Sequence, residues 1–581
     1  MENVKIEFYS RNVRYKNRIL TCLVLTSQIT SLIFVSKWNN INIVGGDVDG
    51  ALFMKSAENI LNGNWLGDYN KFTLVKSPGY SIWLAFANRL GIQYVVVFHF
   101  LFIISVYLYA FAFQTNIKNK HVTITILVAL PWFPYEYVLE TYRDLFLSLT
   151  YFNCVSIILI LYKFESIKRK YRVKISITLI AFLFMNVGIL VITREDYFIV
   201  FVAPVVLFFF GLFQKEYKSK RINKQSKMLM LIILINFASV NVAQLSVKQL
   251  NENFYGVSLI NDWRYGAFPE LIKQLKKYNV NEQDFRFVIS RGQRKELGTH
   301  SENFLKYTAD LENNAQGWNA QSCIYLNVCN DVTKSWFPWA LRDSLVSLNV
   351  FSSASNFQKE MKDLTIELKL ICNSDLSLCD KGNSFYREIQ YYVPTILSDL
   401  KFLSYYLSAK KWHSSDSWKL HYERTHQISA REVDYQIARK VVNGLPDNPR
   451  LYVESRKTHL EFPFYIYTKI LDNILFTTLV LVVTMGIIMG KFMFSKEEYE
   501  FFSTYFSVII FQSLLIVINN SLNYGLSLEI SGSSYAVGLK IITQIQLITL
   551  VMLMANKIFS YSQHIIKNQK WRILAKSNLE K

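Results

Sequence analysis

Ile175-Ser176-Ile177-Thr178-Leu179-Ile180-Ala181-Phe182-Leu183-Phe184-Met185-Asn186-Val187-Gly188-Ile189-Leu190-Val191-Ile192 is an uninterrupted run without a single charge. At about 1.5 Å of rise per residue, a helix of this length approaches the ~30 Å hydrocarbon core of a bilayer. Arg169, Lys170, Arg172 and Lys174 precede the run, and the turn Thr193-Arg194-Glu195-Asp196 follows it. Runs of the same kind recur on both sides. Ten are read, at about 19–36, 93–114, 121–138, 144–162, 174–192, 197–213, 228–247, 464–490, 501–519 and 536–556. The first ends in Ser36-Lys37-Trp38 without a small-residue cleavage site, so it is read as an anchor and not as a cleaved leader.

The charge balance orients these runs. The net charge of +20 raises the question of a nucleic-acid partner. Yet 1–18, 114–120, 163–174, 214–227, 491–500 and 557–581 together hold 27 Lys+Arg against 8 Asp+Glu. The long segment 248–463 holds 28 against 25. A nucleic-acid surface would concentrate positive charge on a folded domain, whereas the surplus here sits on short connections, as the positive-inside rule describes. No nucleic-acid partner is therefore expected. The expectation is a polytopic α-helical membrane protein of about ten spans, with both termini cytoplasmic. A transmembrane domain (1–247) carries seven spans and a first external segment (37–92). A soluble extracytoplasmic domain (248–463) follows, and then three closing spans and a basic tail (464–581). Membrane lipid is its surrounding partner.

The large domain is expected to be mixed α/β. Val257–Ile260 and Phe285–Ile289 read as short strands, and 355–371 and 394–410 read as helices with one apolar face. Its tryptophans, Trp263, Trp318, Trp336, Trp339, Trp412 and Trp418, read individually as core, although such rings also stack on sugars. Cys323, Cys329, Cys372 and Cys379 all fall in this domain, as two pairs close in sequence. The tight gap of a structural zinc site is missing, so local disulfides in an oxidising compartment are expected. Cys22 and Cys154 lie in spans.

The 37–92 segment is not a featureless loop. Phe53, Ala57, Ile60 and Leu61 recur at helical spacing after Gly50, and Gly63 can end the helix. A second short helix is expected after Pro78, where the missing N–H is harmless, and is closed by Gly91. Acids and bases gather at the outward ends of the runs. Asp47, Asp49, Glu58, Asp68 and Lys76 lie in 37–92; Glu136, Glu140, Arg143 and Asp144 flank the next turn; Arg194, Glu195 and Asp196 form the third. Any one of these could simply reach for water at a span end. Three turns on one face all carrying both signs imply a shared polar cavity between helices.

Three of these stretches resemble a known family. Asp49-Gly50-Ala51-Leu52-Phe53-Met54-Lys55-Ser56-Ala57-Glu58-Asn59-Ile60-Leu61-Asn62-Gly63 looks like the first luminal loop of the GT-C glycosyltransferases. These are the polyprenyl-phosphate-sugar-dependent enzymes related to protein O-mannosyltransferases and bacterial aminoarabinose transferase. Lys76-Ser77-Pro78-Gly79-Tyr80-Ser81 resembles their Pro-Gly-Tyr-Pro segment, with Ser81 in place of the second proline. Ile192-Thr193-Arg194-Glu195-Asp196 resembles their Thr-Arg-Pro-Glu turn without its proline. The resemblance covers about 40–213. It implies transfer of a sugar from a polyprenyl-phosphate donor to a glycan, lipid or protein acceptor on the extracytoplasmic side of a bacterial inner membrane. Asp49 is the implied base, with Asp47 as second choice. Lys76 and Arg194 are the implied phosphate partners, with Arg143, Glu140 and Glu195 beside them. Asp47-Val48-Asp49 also spells a metal-holding pattern of other glycosyltransferases, but a lipid-phosphate leaving group does not require the ion. A divalent metal stays open, and no cofactor is assigned. Trp336-Phe337-Pro338-Trp339-Ala340-Leu341-Arg342-Asp343, with Glu367 and the Cys372/Cys379 pair, looks like a segment of bacterial membrane proteins without a settled activity. The rival functions are a non-enzymatic lipid-linked glycan transporter or envelope assembly scaffold, and a polysaccharide polymerase or ligase.

The topology has a direct check. Reporter fusions at Lys220 and Asn313 should report opposite sides of the membrane. The same side at both positions overturns the ten-span arrangement.

Overall fold

The structure is a computed structural model. It describes residues 48–112, 143–163, 169–194, 200–214, 224–278, 284–374 except 315, 384–407 and 432–443, together with Cys379 and scattered positions in 19–33 and 501–549. The described residues are mostly helical and include no strand. The helices are α1 (Val48–Leu61), α2 (Gly79–Arg89), α3 (Tyr94–Ala112), α4 (Arg143–Tyr162), α5 (Arg169–Thr193), α6 (Val202–Gln214) and α7 (Lys224–Tyr255). In the inserted domain they are α8 (Ala267–Leu275), α9 (Arg291–His300), α10 (Glu302–Asn314), α11 (Gln316–Leu326), α12 (Phe337–Ser344), α13 (Ala354–Ser374), α14 (Ser384–Leu407) and α15 (Glu432–Val441).

Among the described residues, three helices are long and apolar enough to cross a membrane: Arg143–Tyr162, Val173–Thr193 and Ser226–Tyr255. The apolar part of α3, Val96–Ala112, is shorter. The runs expected at 121–138 and 464–490 lie outside the described residues, and those at 19–36, 501–519 and 536–556 are described only at single positions. Helix α4 is the centre of this bundle, buried along its whole length between α3 and α5. Its core-facing rings meet Tyr109 of α3, which stacks on Phe152 at 5.1 Å. Tyr505 joins them and shares a 2.6 Å hydrogen bond with Ser156. Small residues bring α5 and α7 close, with Gly188 facing Ser239 and Ala243. The Ser239 hydroxyl donates to the Phe184 carbonyl at 2.5 Å. Where lipid removes the hydrophobic drive between helices, such close backbone approach and polar contact supply the attraction.

The 37–92 segment forms the two expected helices. α1 buries Phe53, Met54 and Ala57, and Gly63 follows it at φ +82°. α2 starts immediately after Pro78 and is followed by Gly91 at φ +66°. A left-handed backbone at those positions suits glycine alone among the residues there. The start of α2 abuts the end of α5 so tightly that a Cβ on Gly79 would lie 2.4 Å from the Thr193 hydroxyl and 2.7 Å from the Ile192 carbonyl.

The inserted domain departs from expectation. Neither segment expected as a strand, Val257–Ile260 or Phe285–Ile289, is one: both are irregular, and the described residues of the domain are mostly helical with no strand. The reason lies in what their backbone groups meet. The Leu259 and Ile260 carbonyls are taken by the Asn251 side chain at the end of α7, at 2.6 and 3.3 Å, instead of by a neighbouring strand. Around the second segment Asp284 bonds Arg286, and the Phe285 carbonyl accepts from the Tyr392 hydroxyl. Helix 355–371 appears as α13. Helix 394–410 begins ten residues early, as α14, which runs through Pro394. Tyr392, about two turns into that extension, packs under Lys334 at 3.9 Å and is buried, so tertiary packing offsets the lost hydrogen bond at the proline. The domain core gathers Phe268 and Leu271 of α8, Phe304 of α10, Phe337 and Leu341 of α12, and Phe357, Met361 and Leu368 of α13. Both expected disulfides are formed: Cys323–Cys329 closes the end of α11 and Cys372–Cys379 the end of α13.

The Gly79 contact sets up a comparison of two glycine-to-alanine changes. Gly79→Ala pushes backbone against backbone and should destabilise by about 1–3 kcal/mol, as overpacking does. Gly317→Ala, on an exposed turn of α11 with open space around it, should be neutral or stabilising by up to about 1 kcal/mol. Thermal unfolding of the purified variants measures both.

Candidate functional site

Four element ends converge on one place. Asp49 lies in the first turn of α1, and Lys76 lies just ahead of α2. Their side chains form an ion pair of 2.8 Å and remain 16% and 19% exposed. One turn after Asp49, the Phe53 ring meets Tyr80 of α2 edge-on at 5.2 Å. The Arg143 guanidinium at the start of α4 lies 5.6 Å from the same Phe53 ring. Arg143 also donates to the Thr193 carbonyl at 3.4 Å, and Thr193 is the residue against which Gly79 is packed. Arg194, one residue further, pairs with Asp144 at 2.6 Å, and the Asp144 side chain is only 5% exposed. Two acid–base pairs are thus joined through Phe53, Arg143 and the Gly79–Thr193 contact.

Helix ends explain why these charges are tolerated with so little water. Asp144 sits in the first turn of α4, where the helix dipole favours an anion. Arg143 donates to the last carbonyl of α5, and Arg194 directly follows that helix, where its dipole favours cations.

The inserted domain reaches directly into this place. Helix α12 turns Trp339 and Asp343, four residues apart, toward the 71–77 stretch. Trp339 lies 5.6 Å from the Lys76 ammonium and 6.4 Å from the Phe72 ring. Asp343 pairs with Lys71 at 2.7 Å and accepts from the Trp318 indole at 2.9 Å. The backbone N–H of Asp262 donates to the Leu74 carbonyl at 2.8 Å, and the Asn261 amide donates to the Ser77 hydroxyl at 2.8 Å. Lys76 is therefore held from both sides in sequence. On the far flank α15 docks on α1 and α2. Lys440 pairs with Glu58 at 2.8 Å, and the Asn88 amide caps α15 through the Lys440 and Val441 carbonyls at 2.9 Å.

Of the residues the sequence singled out, Asp49, Lys76, Arg143 and Arg194 come together. Asp47, Glu140 and Glu195 lie outside the described residues. Among the described residues, no group of three or more His, Cys, Asp or Glu side chains is placed to hold a metal ion. Two members of the site were not legible as such. Asp144 was visible as an acid at a span end, but its pairing with Arg194 needs the α4–α5 packing. Trp339 stood in a quoted motif, but nothing in the sequence links it to Lys76. Trp263, Trp318 and Trp336 lean on the domain core as expected, and Trp412 and Trp418 lie outside the described residues.

Burial also shifts ionisable groups of the inserted domain. Burial pushes the Asp262 carboxyl up from its ordinary range, against the pull of Arg342. Burial likewise brings Lys334 down to about 8, opposed by Glu388 at 3.0 Å.

No family model matches the chain, and no curated protein matches it.

The Asp144–Arg194 pair is separable by a double-mutant cycle. Arg194→Ala leaves a buried carboxylate short of its cation and should destabilise by about 3–5 kcal/mol. Asp144→Ala combined with Arg194→Ala should recover about 0.5–3 kcal/mol of that loss. Thermal unfolding of the three variants in detergent measures the coupling, and strictly additive losses would show that the pair contributes nothing.

Proposed function

We propose that this chain is a membrane glycosyltransferase of the GT-C type, which moves a sugar from a polyprenyl-phosphate donor to an acceptor hydroxyl. In this reading it has ten spans in a bacterial cytoplasmic membrane. Both termini face the cytoplasm, and 37–92 and 248–463 lie on the outer side with the site. The observation that carries the reading is the Asp49–Lys76 pair of 2.8 Å, part-exposed where α1, α2, α4 and α5 meet. A carboxylate beside an ammonium is what such a transfer requires. The remaining support is the order of the three sequence stretches that resemble the family.

The steps balance as follows. The donor phosphate takes Asp49's place as partner of Lys76, which releases the carboxylate toward the acceptor. The acceptor oxygen forms a bond to the anomeric carbon while the bond from that carbon to the phosphate oxygen breaks. The acceptor's proton passes to Asp49, and the bonding electrons leave with the phosphate. Lys76 stabilises the negative charge that develops there, since a fixed cation in a site poor in water acts more strongly than one in solution. Arg143, bonded to the Thr193 carbonyl, and Arg194, paired with Asp144, set the positive background of the same place.

Asp49→Asn tests this. Asparagine keeps the size and the capping capacity of aspartate but cannot take the proton. Transfer from a polyprenyl-phosphate sugar in reconstituted membranes should fall by about 10²–10⁴, the usual range for loss of a general base, with folding and insertion unchanged. Asp47→Asn is measured beside it. Wild-type rates in both variants would remove the catalytic site from this segment and leave the family likeness as one of fold alone.

A further inference from the structure

We infer that Trp339 of the inserted domain is the platform on which the donor's sugar ring stacks, so that the donor subsite is completed by a helix far along the chain from Asp49 and Lys76. This rests on the transfer reading above. Three observations point to it. First, the Trp339 ring is 5.6 Å from the Lys76 ammonium, which is itself 2.8 Å from Asp49. A sugar whose anomeric carbon is esterified to a phosphate held at Lys76 lies within one ring's reach of both residues. Second, Trp339 differs from the tryptophans around it. Trp263, Trp318 and Trp336 pack on the domain core, and Trp318 gives its indole N–H to Asp343. Trp339 stands outside that core, half-buried, against Phe72 and Trp263 at 6.4 and 4.5 Å. Among the described residues nothing accepts its indole N–H or that of Trp263, so its place outside the core is what sets it apart. Third, its direction is fixed. Phe337, Ala340 and Leu341 of α12 are buried in the domain core, whereas Trp339 and Asp343, one turn apart, and Arg342 between them meet the 71–77 stretch.

The chemistry of the ligand follows from the surface. The C–H face of a pyranose is apolar and slightly positive, and the face of an indole is apolar and negative, so the two stack with a preferred geometry. The hydroxyls at the rim of the sugar then find a donor in the indole N–H. A bare lipid phosphate would use Lys76 but gain nothing from Trp339, so the ring distinguishes loaded donor from spent carrier. That difference favours release of the product lipid after transfer.

The test is equilibrium binding to the full-length protein in nanodiscs, with polyprenyl-phosphate glucose, polyprenyl-phosphate mannose and bare polyprenyl phosphate as probes. The wild type should bind at least one of the sugar-loaded lipids more tightly than the bare one. Trp339→Ala should weaken that sugar-loaded lipid about tenfold and leave the bare lipid unchanged. Trp339→Phe should restore most of the difference, which guards against a variant that merely misfolds. Asp49→Asn should keep the binding difference while losing transfer, so the platform and the transfer reading are judged by separate measurements. Equal weakening of loaded and bare lipid in Trp339→Ala, no weakening of either, or no preference for loaded lipid in the wild type would each overturn the proposal.

Discussion

Everything near Lys76 depends on one buried guanidinium. Arg342 of α12 is 1% exposed and pairs with the fully buried Asp262 through two hydrogen bonds, at 3.1 and 3.2 Å. It also donates to the Lys71 carbonyl at 2.9 Å and is surrounded by the rings of Phe268, Phe351 and Phe357 at 5.2, 5.1 and 4.8 Å. A charge so far from water is stable only when it is paired and its donors are used, and here both conditions hold. The arrangement ties three stretches of chain to one point: 71–74 of the early segment, 261–262 after α7, and 342–343 of α12. Losing either charge would leave its partner buried and unpaired, which costs far more than the pair itself contributes. The inserted domain is thereby fixed against the early segment, and Lys76 is fixed with it.

The second constraint is steric. Gly79 lets the start of α2 touch the last turn of α5, where a single added carbon would collide with backbone. That contact brings the Lys76 segment to the Thr193–Arg194 corner and to the first turn of α4. Paired charges then gather at helix ends, and for Asp49 and Asp144, in the first turns of α1 and α4, the helix dipole lowers the cost of keeping them from water. The place is polar and closely packed, with paired cations and two carboxylates. Such a setting suits chemistry in which negative charge moves from an acceptor oxygen to a leaving phosphate. The proposed transfer reading uses the geometry in that way, and Trp339 gives the inserted domain a part in it.

Several features were legible in the residues alone because they depend only on neighbours in the chain. Apolar runs of a helix's length gave α4, α5 and α7, with α7 running eight residues past its expected end. Proline and glycine marked both ends of α2 and the end of α1, since backbone dihedrals are a local matter. Two cysteine pairs separated by a short loop gave both disulfides, because a short loop brings thiols together whatever the rest of the fold does. The convergence of acids and bases was legible as a tendency, from three turns carrying both signs.

Tertiary structure decided the rest. Which acid meets which base follows from helix packing, so Asp49 with Lys76 and Asp144 with Arg194 could not be read from spacing. The strands expected at 257–260 and 285–289 failed because a strand needs a partner, and here side chains from α7 and α14 take the backbone groups instead. Pro394 failed as a helix start because Tyr392 before it is held by packing. Trp339 joined the site only through the burial of Arg342 on the adjacent face of α12. Local conformation is set by residues a few positions apart, and the sequence determined it. The site is set by contacts between residues from 27 to 382 positions apart, and only the packed chain brings those within reach.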